Sequence, residues 1–250
     1  MLSKLFKGLF VVLFMVTFTH GVWAESYKVG ATPSGVPFTF KDTKTNTTQG
    51  MMVDLIQAVA KDQGFTVDVQ AMPFNTLIPS LQTGKIDLIS CALGITPQRA
   101  EVVDFTVPVY TYGEGVVVSS KDTKEYKSYD DFKGEVVGVQ VGTVWQEPLK
   151  KTGIFKEVRA YDSMAEAIRD VSFGRIKAAF GDYPIVSYQI SQGVHKDVRL
   201  LKGIKPILTV DIGMAVKKGD KAKLEMLNKS LTKLKADGTL DKILIKWSLK

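Results

Sequence analysis

Two hydrophobic periods alternate along most of this chain. Tyr27–Ala31 is a short apolar, β-rich run, as a buried strand would be. Met52–Lys61 places Val53, Ile56, Val59 and Ala60 at helical spacing and stops before Gly64, a suitable C′ glycine. Phe65–Ala71 has period two, with Phe65, Val67, Val69 and Ala71 sharing a face. Asn75 stands where it can cap a helix through Gln82, with Leu77, Ile78 and Leu81 inward. Pro79 falls in its first turn and Gly84 ends it. Ile86–Ser90 reads as another strand. Strand, helix, strand, helix, strand is the order of a parallel α/β unit.

A second unit repeats the pattern. Val136–Gln140 and Glu157–Tyr161 read as strands, with a helix over Val144–Lys151 between them. Ser163 and Glu166 have capping-box spacing ahead of a helix whose apolar face is Met164, Ala167, Ile168 and Val171. Lys177–Phe180 is a strand and Tyr183–Gln192 a helix. The chain closes with helices over Lys221–Lys235, carrying Leu224, Leu227, Leu231 and Leu234 on one side, and over Leu240–Trp247. Gly115–Ser119 and Thr209–Val216 are β-rich and join the two units without a flexible linker, which suits strands passing directly between two lobes.

The N-terminus adds a compartment. Lys4 and Lys7 precede the apolar run Leu9–Phe18, and Val22-Trp23-Ala24 offers small residues at the −3 and −1 positions of a cleavage site. That layout predicts an export signal over residues 1–24, cut after Ala24, and a mature chain in an extracytoplasmic space, the periplasm. The apolar run is short for a membrane span, which needs about 20 residues. Loss of Lys4 and Lys7 lowers the formal charge of +7 by two, to +5. The excess is dispersed: Lys217, Lys218, Lys221 and Lys223 read as a solvated helix face. A basic stripe with aromatic platforms is lacking, so no nucleic-acid partner is expected. The single cysteine, Cys91, permits no internal disulfide and reads as a buried strand residue. One mature histidine, His195, and one cysteine make a Cys–His pair or zinc site improbable, so neither metal nor cofactor is expected.

Candidate chemistry concentrates in Asn75–Tyr110. A strand ends near Cys91, and Thr96 with Pro97 behind it is a helix start: a capping hydroxyl, then proline at N1. Arg99 would lie in the first turn, where backbone N–H groups and a guanidinium fork converge on one space suited to a carboxylate. Arg99 could equally pair with Glu101 or Asp104 on the surface. By spacing alone Asp182 reads as a helix cap before Tyr183 and Pro184, and Phe74 as a core aromatic.

Five blocks, in order, resemble the bacterial extracellular solute-binding proteins of family 3, the periplasmic amino-acid-binding proteins of ABC importers. They are Gly50–Leu55, Leu77–Tyr110 with Thr96 and Arg99, Val137–Thr143, Ala178–Asp182, and Asp237–Ile243 with Lys246-Trp247. The resemblance implies a two-lobed α/β periplasmic binding protein (type II), with two crossover strands and a ligand cleft between lobes. Lobe 1 would comprise 25–110 plus 211–250 and lobe 2 114–206, with hinges near 110–114 and 206–211. It further implies that Arg99 grips an α-carboxylate, helped by main-chain groups at Ala92 and Gly94 and by Thr96. Gly142 and Thr143 would add donors, Asp182 would accept from the α-ammonium, and Phe74 would pack over the ligand. Gln140, Val144, Thr32 and Ser34 are further candidates. A zwitterion suits such a division, since an unpaired buried charge costs several kcal/mol.

The function implied is capture of a polar amino acid or close analogue and its delivery to an ABC permease in the inner membrane, by a monomer without catalysis. Two departures stand out. Gly35 occupies the position of an aromatic clamp before Pro37-Phe38, and Gly94 replaces a hydroxyl residue, so the pocket would be wider or filled by Trp145 or Tyr110. Alternatives are a cyclohexadienyl (prephenate or arogenate) dehydratase-like enzyme, with Glu114 or Asp211 as general acid, and a ligand sensor serving a receptor.

Overall fold

The computed structural model describes residues 25–250. The export segment expected over 1–24, with its expected cut after Ala24, lies outside the described residues. Ser26–Ala31 lies inside a five-stranded sheet whose order is Thr66–Ala71, Ser26–Ala31, Leu88–Ile89, Ala215–Lys217, Val103–Phe105. The first three strands are parallel, and Ala215–Lys217 runs antiparallel to both of its neighbours. Val29 and Ala31 are fully buried, as expected of a strand covered on both faces.

Helix Met51–Gln63 covers one face and ends at Gly64, whose φ of 76° lets its N–H reach the Ala60 carbonyl. Against it pack the C-terminal helices Lys221–Ala236 and Thr239–Lys246, burying Leu227, Leu231, Leu234, Leu240 and Leu244. Asp54 in the first helix accepts from Trp247 Nε1 at 2.8 Å and Lys246 Nζ at 2.6 Å. The two outermost blocks of the sequence resemblance therefore fasten each other.

Several sequence expectations need correction. Asn75 caps nothing. Phe74–Thr76 forms a 3-10 turn before helix Leu77–Gln82, and the Thr76 N–H and hydroxyl both bond Pro73 O, which removes the need for a side-chain cap. Regular pairing in the strand expected over Ile86–Ser90 narrows to Leu88–Ile89, although Asp87 and Ser90 still donate to Lys28 and Gly30. The helix expected from Val144 starts at Gln146, because the tight turn through Gly142 (φ 75°) occupies the residues before it. Lys217 ends a strand and Lys218 pairs with Asp104, so neither belongs to a helix face.

The second sheet has the order Glu157–Tyr161, Val136–Gln140, Ala178–Asp182, Tyr110–Ser119, Val198–Leu200. Its first three strands are parallel, with helices Gln146–Lys151, Met164–Ser172 and Tyr183–Ser191 following them. Ser163 caps Met164–Ser172 by accepting from Glu166 N, as its spacing predicted. Tyr110–Ser119 is the longest strand, and its two ends have different partners. Tyr110–Gly113 pairs with Thr209–Ile212, and Glu114–Val118 pairs with Ala178–Asp182. The return run is interrupted at Gly213 and Met214 before Ala215–Lys217 enters the first sheet. Two strands thus pass between two α/β lobes.

Aromatic contacts follow the same path. Phe38 of the first lobe lies 5.5 Å from Tyr112, and Tyr112 lies 6.3 Å from Trp145 of the second, centroid to centroid.

Candidate functional site

The loop from Cys91 to Thr96 is fixed by the return crossover. Ile95 N donates to Asp211 O at 2.7 Å, and Gly94 bridges Ile212. Thr96 is extended (φ −134°, ψ 153°), its hydroxyl accepts from Arg99 N at 3.2 Å, and Pro97 stands at N1. The predicted cap is present, but the helix it starts is a single turn, Pro97–Ala100. Arg99 therefore carries what a longer helix dipole would have shared.

The Arg99 guanidinium spans the cleft. Nη1 donates to Gly94 O at 2.6 Å in its own lobe, and Nη2 donates to Gly142 O at 2.9 Å in the other. Its centre lies 5.4 Å from the Phe74 ring, within cation–π reach. Burial pulls the guanidinium below its ordinary pKa. The surface-pair alternative is not what forms, since Asp104 accepts from Lys218 Nζ and Gly219 N, each at 2.7 Å. Phe74 is half-buried, serving both the first-lobe core and the guanidinium.

Asp182 ends its strand and immediately precedes helix Tyr183–Ser191, yet its side chain makes no cap. It accepts from Trp145 Nε1 at 2.6 Å. Burial pushes the carboxyl up to about 6, opposed by hydrogen bonds from Trp145 and Tyr112 and by the charge of Arg99. Burial also drives the Tyr112 hydroxyl well above its usual range. Cys91 is fully buried beside this pair, and burial pushes its thiol up to about 12. At neutral pH the cluster holds one guanidinium, one carboxylate, a neutral phenol and a neutral thiol.

The remaining predicted residues divide. Gly142 accepts from Arg99, while its N–H donates to Gln146 Oε1 at 3.1 Å. The Thr143 hydroxyl donates to Gln140 O at 2.8 Å. The Gln140 amide donates to Asp162 O, and Thr32 shares a buried hydroxyl pair with Thr39 at 2.7 Å. Ala92, Val144 and Ser34 are half-buried.

A cavity of about 480 Å³ opens between the lobes, lined by Thr96, Arg99, Gly142, Thr143 and Val144 together with Val210 and neighbours. Asp182, Phe74, Ala92, Gly94, Gln140, Thr32 and Ser34 are not in its lining. Arg99 is what couples the two groups of residues.

Both glycine departures have physical counterparts. A Cβ on Gly94 would come within 2.7 Å of Val210 Cγ2 and 2.8 Å of Val144 Cγ1, so two valines fill the space a hydroxyl would use. At Gly35 a Cβ would come within 3.1 Å of Thr32 Oγ1, with Ile185 Cδ1 in ordinary contact at 3.6 Å. Trp145 does not fill an open pocket. It is wholly buried, and it holds Asp182. Tyr110 donates its hydroxyl to Leu249 O instead. The partners of Asp182 were not legible as such, because Trp145 comes from the turn before helix Gln146–Lys151 and Tyr112 from a distant strand, and only the tertiary fold brings them to Asp182.

Glu114 is 5% exposed; its Oε1 accepts from the Tyr129 hydroxyl and from Ile207 N. Asp211 accepts from the Thr111 hydroxyl. Asp211 thus serves the crossover, while the second oxygen of Glu114, Oε2, is buried without a hydrogen-bond partner.

The chain resembles known proteins throughout. It is 33% identical over 243 residues to ABC transporter arginine-binding protein 1 of Escherichia coli (strain K12), covering 96% of this chain and 98% of that protein. An ancestral arginine-binding protein bound to glutamine superposes with a TM-score of 0.83 at 34% identity, over 91% of this chain and all of that one. An ancestral amino-acid-binding protein, a precursor of cyclohexadienyl dehydratase, superposes at 0.79 with 32% identity, over 89% and 95%. The family model for bacterial extracellular solute-binding proteins, family 3, matches residues 27–250. With that match laid over two lobes, paired crossovers and the Arg99 bridge, the chain belongs to the bacterial extracellular solute-binding proteins, family 3.

Proposed function

We propose that this protein captures an α-amino acid between its lobes outside the cytoplasmic membrane, as a monomer, and delivers it to an ABC permease. The observation that carries this reading is Arg99, whose two guanidinium arms grip carbonyls of opposite lobes. A ligand α-carboxylate is a better partner for that fork than two neutral carbonyls, since it carries the opposite charge and accepts both N–H bonds in one bidentate geometry. Asp182, on the opposite lobe and within the electrostatic reach of Arg99, would take the α-ammonium. Phe74, Ala92, Gly94, Thr96, Gly142 and Thr143 would complete the enclosure, with Thr32, Ser34, Gln140 and Val144 at its periphery.

In this reading lobe 1 spans 25–110 plus 211–250, lobe 2 spans 114–206, and closure bends the chain near 110–114 and 206–211. Glu114 is buried and absent from the lining of the cavity that Arg99 borders, which argues for binding without chemistry, because a general acid must reach the substrate. Names of relatives support the amino-acid class: one is an arginine-binding transporter protein, and another binds glutamine on an arginine-binding scaffold.

Calorimetry with the common L-amino acids is the test. At least one should bind, and Arg99→Met should weaken that binding roughly a hundredfold or more. Folded protein that binds none of them would refute the reading.

A further inference from the structure

We infer that the captured amino acid carries an uncharged side chain, unlike the arginine for which the relatives above are named. The inference rests on the capture reading and specifies its ligand. Arg99 and Asp182 oppose the two charges of a zwitterion head one for one, leaving the cluster with no net charge. A cationic side chain would need a second carboxylate nearby, and an anionic one a second cation.

Neither is supplied. Arg99 contacts Gly94 O, Gly142 O and the Phe74 ring, and Asp182 accepts from Trp145 with Tyr112 beside it, so no further charged side chain touches the pair. The other candidate lining residues, Thr32, Ser34, Phe74, Gln140 and Val144, are uncharged. Asp211 accepts from Thr111, and Glu114, whose Oε1 accepts from Tyr129 and Ile207 while its buried Oε2 has no partner, faces a separate cavity with Leu201 and Pro206 and is absent from the one Arg99 lines.

Glu147 lines the adjoining cavity and is the remaining rival for a cation. Its side chain is 67% exposed, it pairs with Lys150 at 3.1 Å, and Lys151 shares the lining, so the balance there favours no added cation. An unpaired charge taken from water into such a site is strongly disfavoured.

The experiment is calorimetry at pH 7.5 with ligand pairs of matched shape and different charge. The pairs are citrulline against arginine and glutamine against glutamate. The neutral member should bind tighter in each pair that binds, by roughly a hundredfold. Arginine binding as well as or better than citrulline, or glutamate better than glutamine, would overturn the inference while leaving amino-acid capture standing. If none of these ligands nor any common L-amino acid binds folded protein, both fall together.

Discussion

In the proposed site Asp182 would set affinity against stability. Its carboxyl titrates at about 6 in the folded protein against an ordinary 3.8. Between those values the folded state holds a proton that the unfolded state has lost, so this group's contribution to stability falls as pH rises from about 4 to 6 and stays low above. The gap corresponds to roughly 3 kcal/mol at neutral pH as an upper figure. Asp182→Asn should therefore raise the melting temperature of the ligand-free protein at pH 7.5 and change little at pH 4. The same substitution should abolish tight binding, since the ammonium loses its counter-charge. In the unsubstituted protein, affinity should decline about tenfold per pH unit below about 6, where Asp182 takes up its proton. Calorimetry across pH 4.5–8 checks this; affinity flat through pH 5 would remove Asp182 from ammonium binding.

At the scale of elements, position comes from crossings between segments far apart in sequence. The loop carrying Gly94 is held by the strand Thr209–Ile212, and its Cα faces Val210 and Val144. Gly94→Ser should overpack that junction at a cost of about 1–3 kcal/mol. Because Val144 belongs to the other lobe, the cost should appear as weakened affinity more than as a lowered melting temperature. Asp54 tests a different junction. It joins the first helix to Trp247 and Lys246, and Asp54→Ala should cost about 1–2 kcal/mol of stability in urea unfolding while leaving ligand affinity unchanged. The Thr96–Pro97 start, the Ser163 cap and the Gly64 stop were legible because each depends on neighbours within four residues. The Asn75 cap failed for a comparable local reason, the 3-10 turn at Phe74–Thr76, which hydrophobic periodicity does not reveal.

For the whole molecule the event proposed above is closure over a ligand. Two antiparallel crossovers, one long and one interrupted at Gly213, connect sheets that otherwise pair only within themselves. A ligand that bonds both lobes selects the closed arrangement by its differential affinity. At a ligand concentration a hundred times Kd, the folded state gains about 2.7 kcal/mol. For a chain of this size that is a rise in melting temperature of roughly 5–10 °C. Differential scanning fluorimetry should register it in the unsubstituted protein and not in Arg99→Met.

The sequence by itself determined the alternation of strands and helices, the pairing of two α/β units, and Arg99 in a capped turn, because these follow from local period and local capping. Ordered motif blocks supplied the family. Tertiary structure decided what spacing could not. Arg99 turned from Glu101 and Asp104 to Gly142 of the other lobe, Asp182 turned from capping its helix to Trp145, and Cys91 and Tyr112 came to lie beside that pair. The physical reason is that a side chain's partner depends on strand register and on how two lobes meet, both set by burial across the whole chain. The glycines at 35 and 94 were legible as departures, but only the close approach of Thr32 to the first and of Val144 and Val210 to the second gave those departures a structural reason.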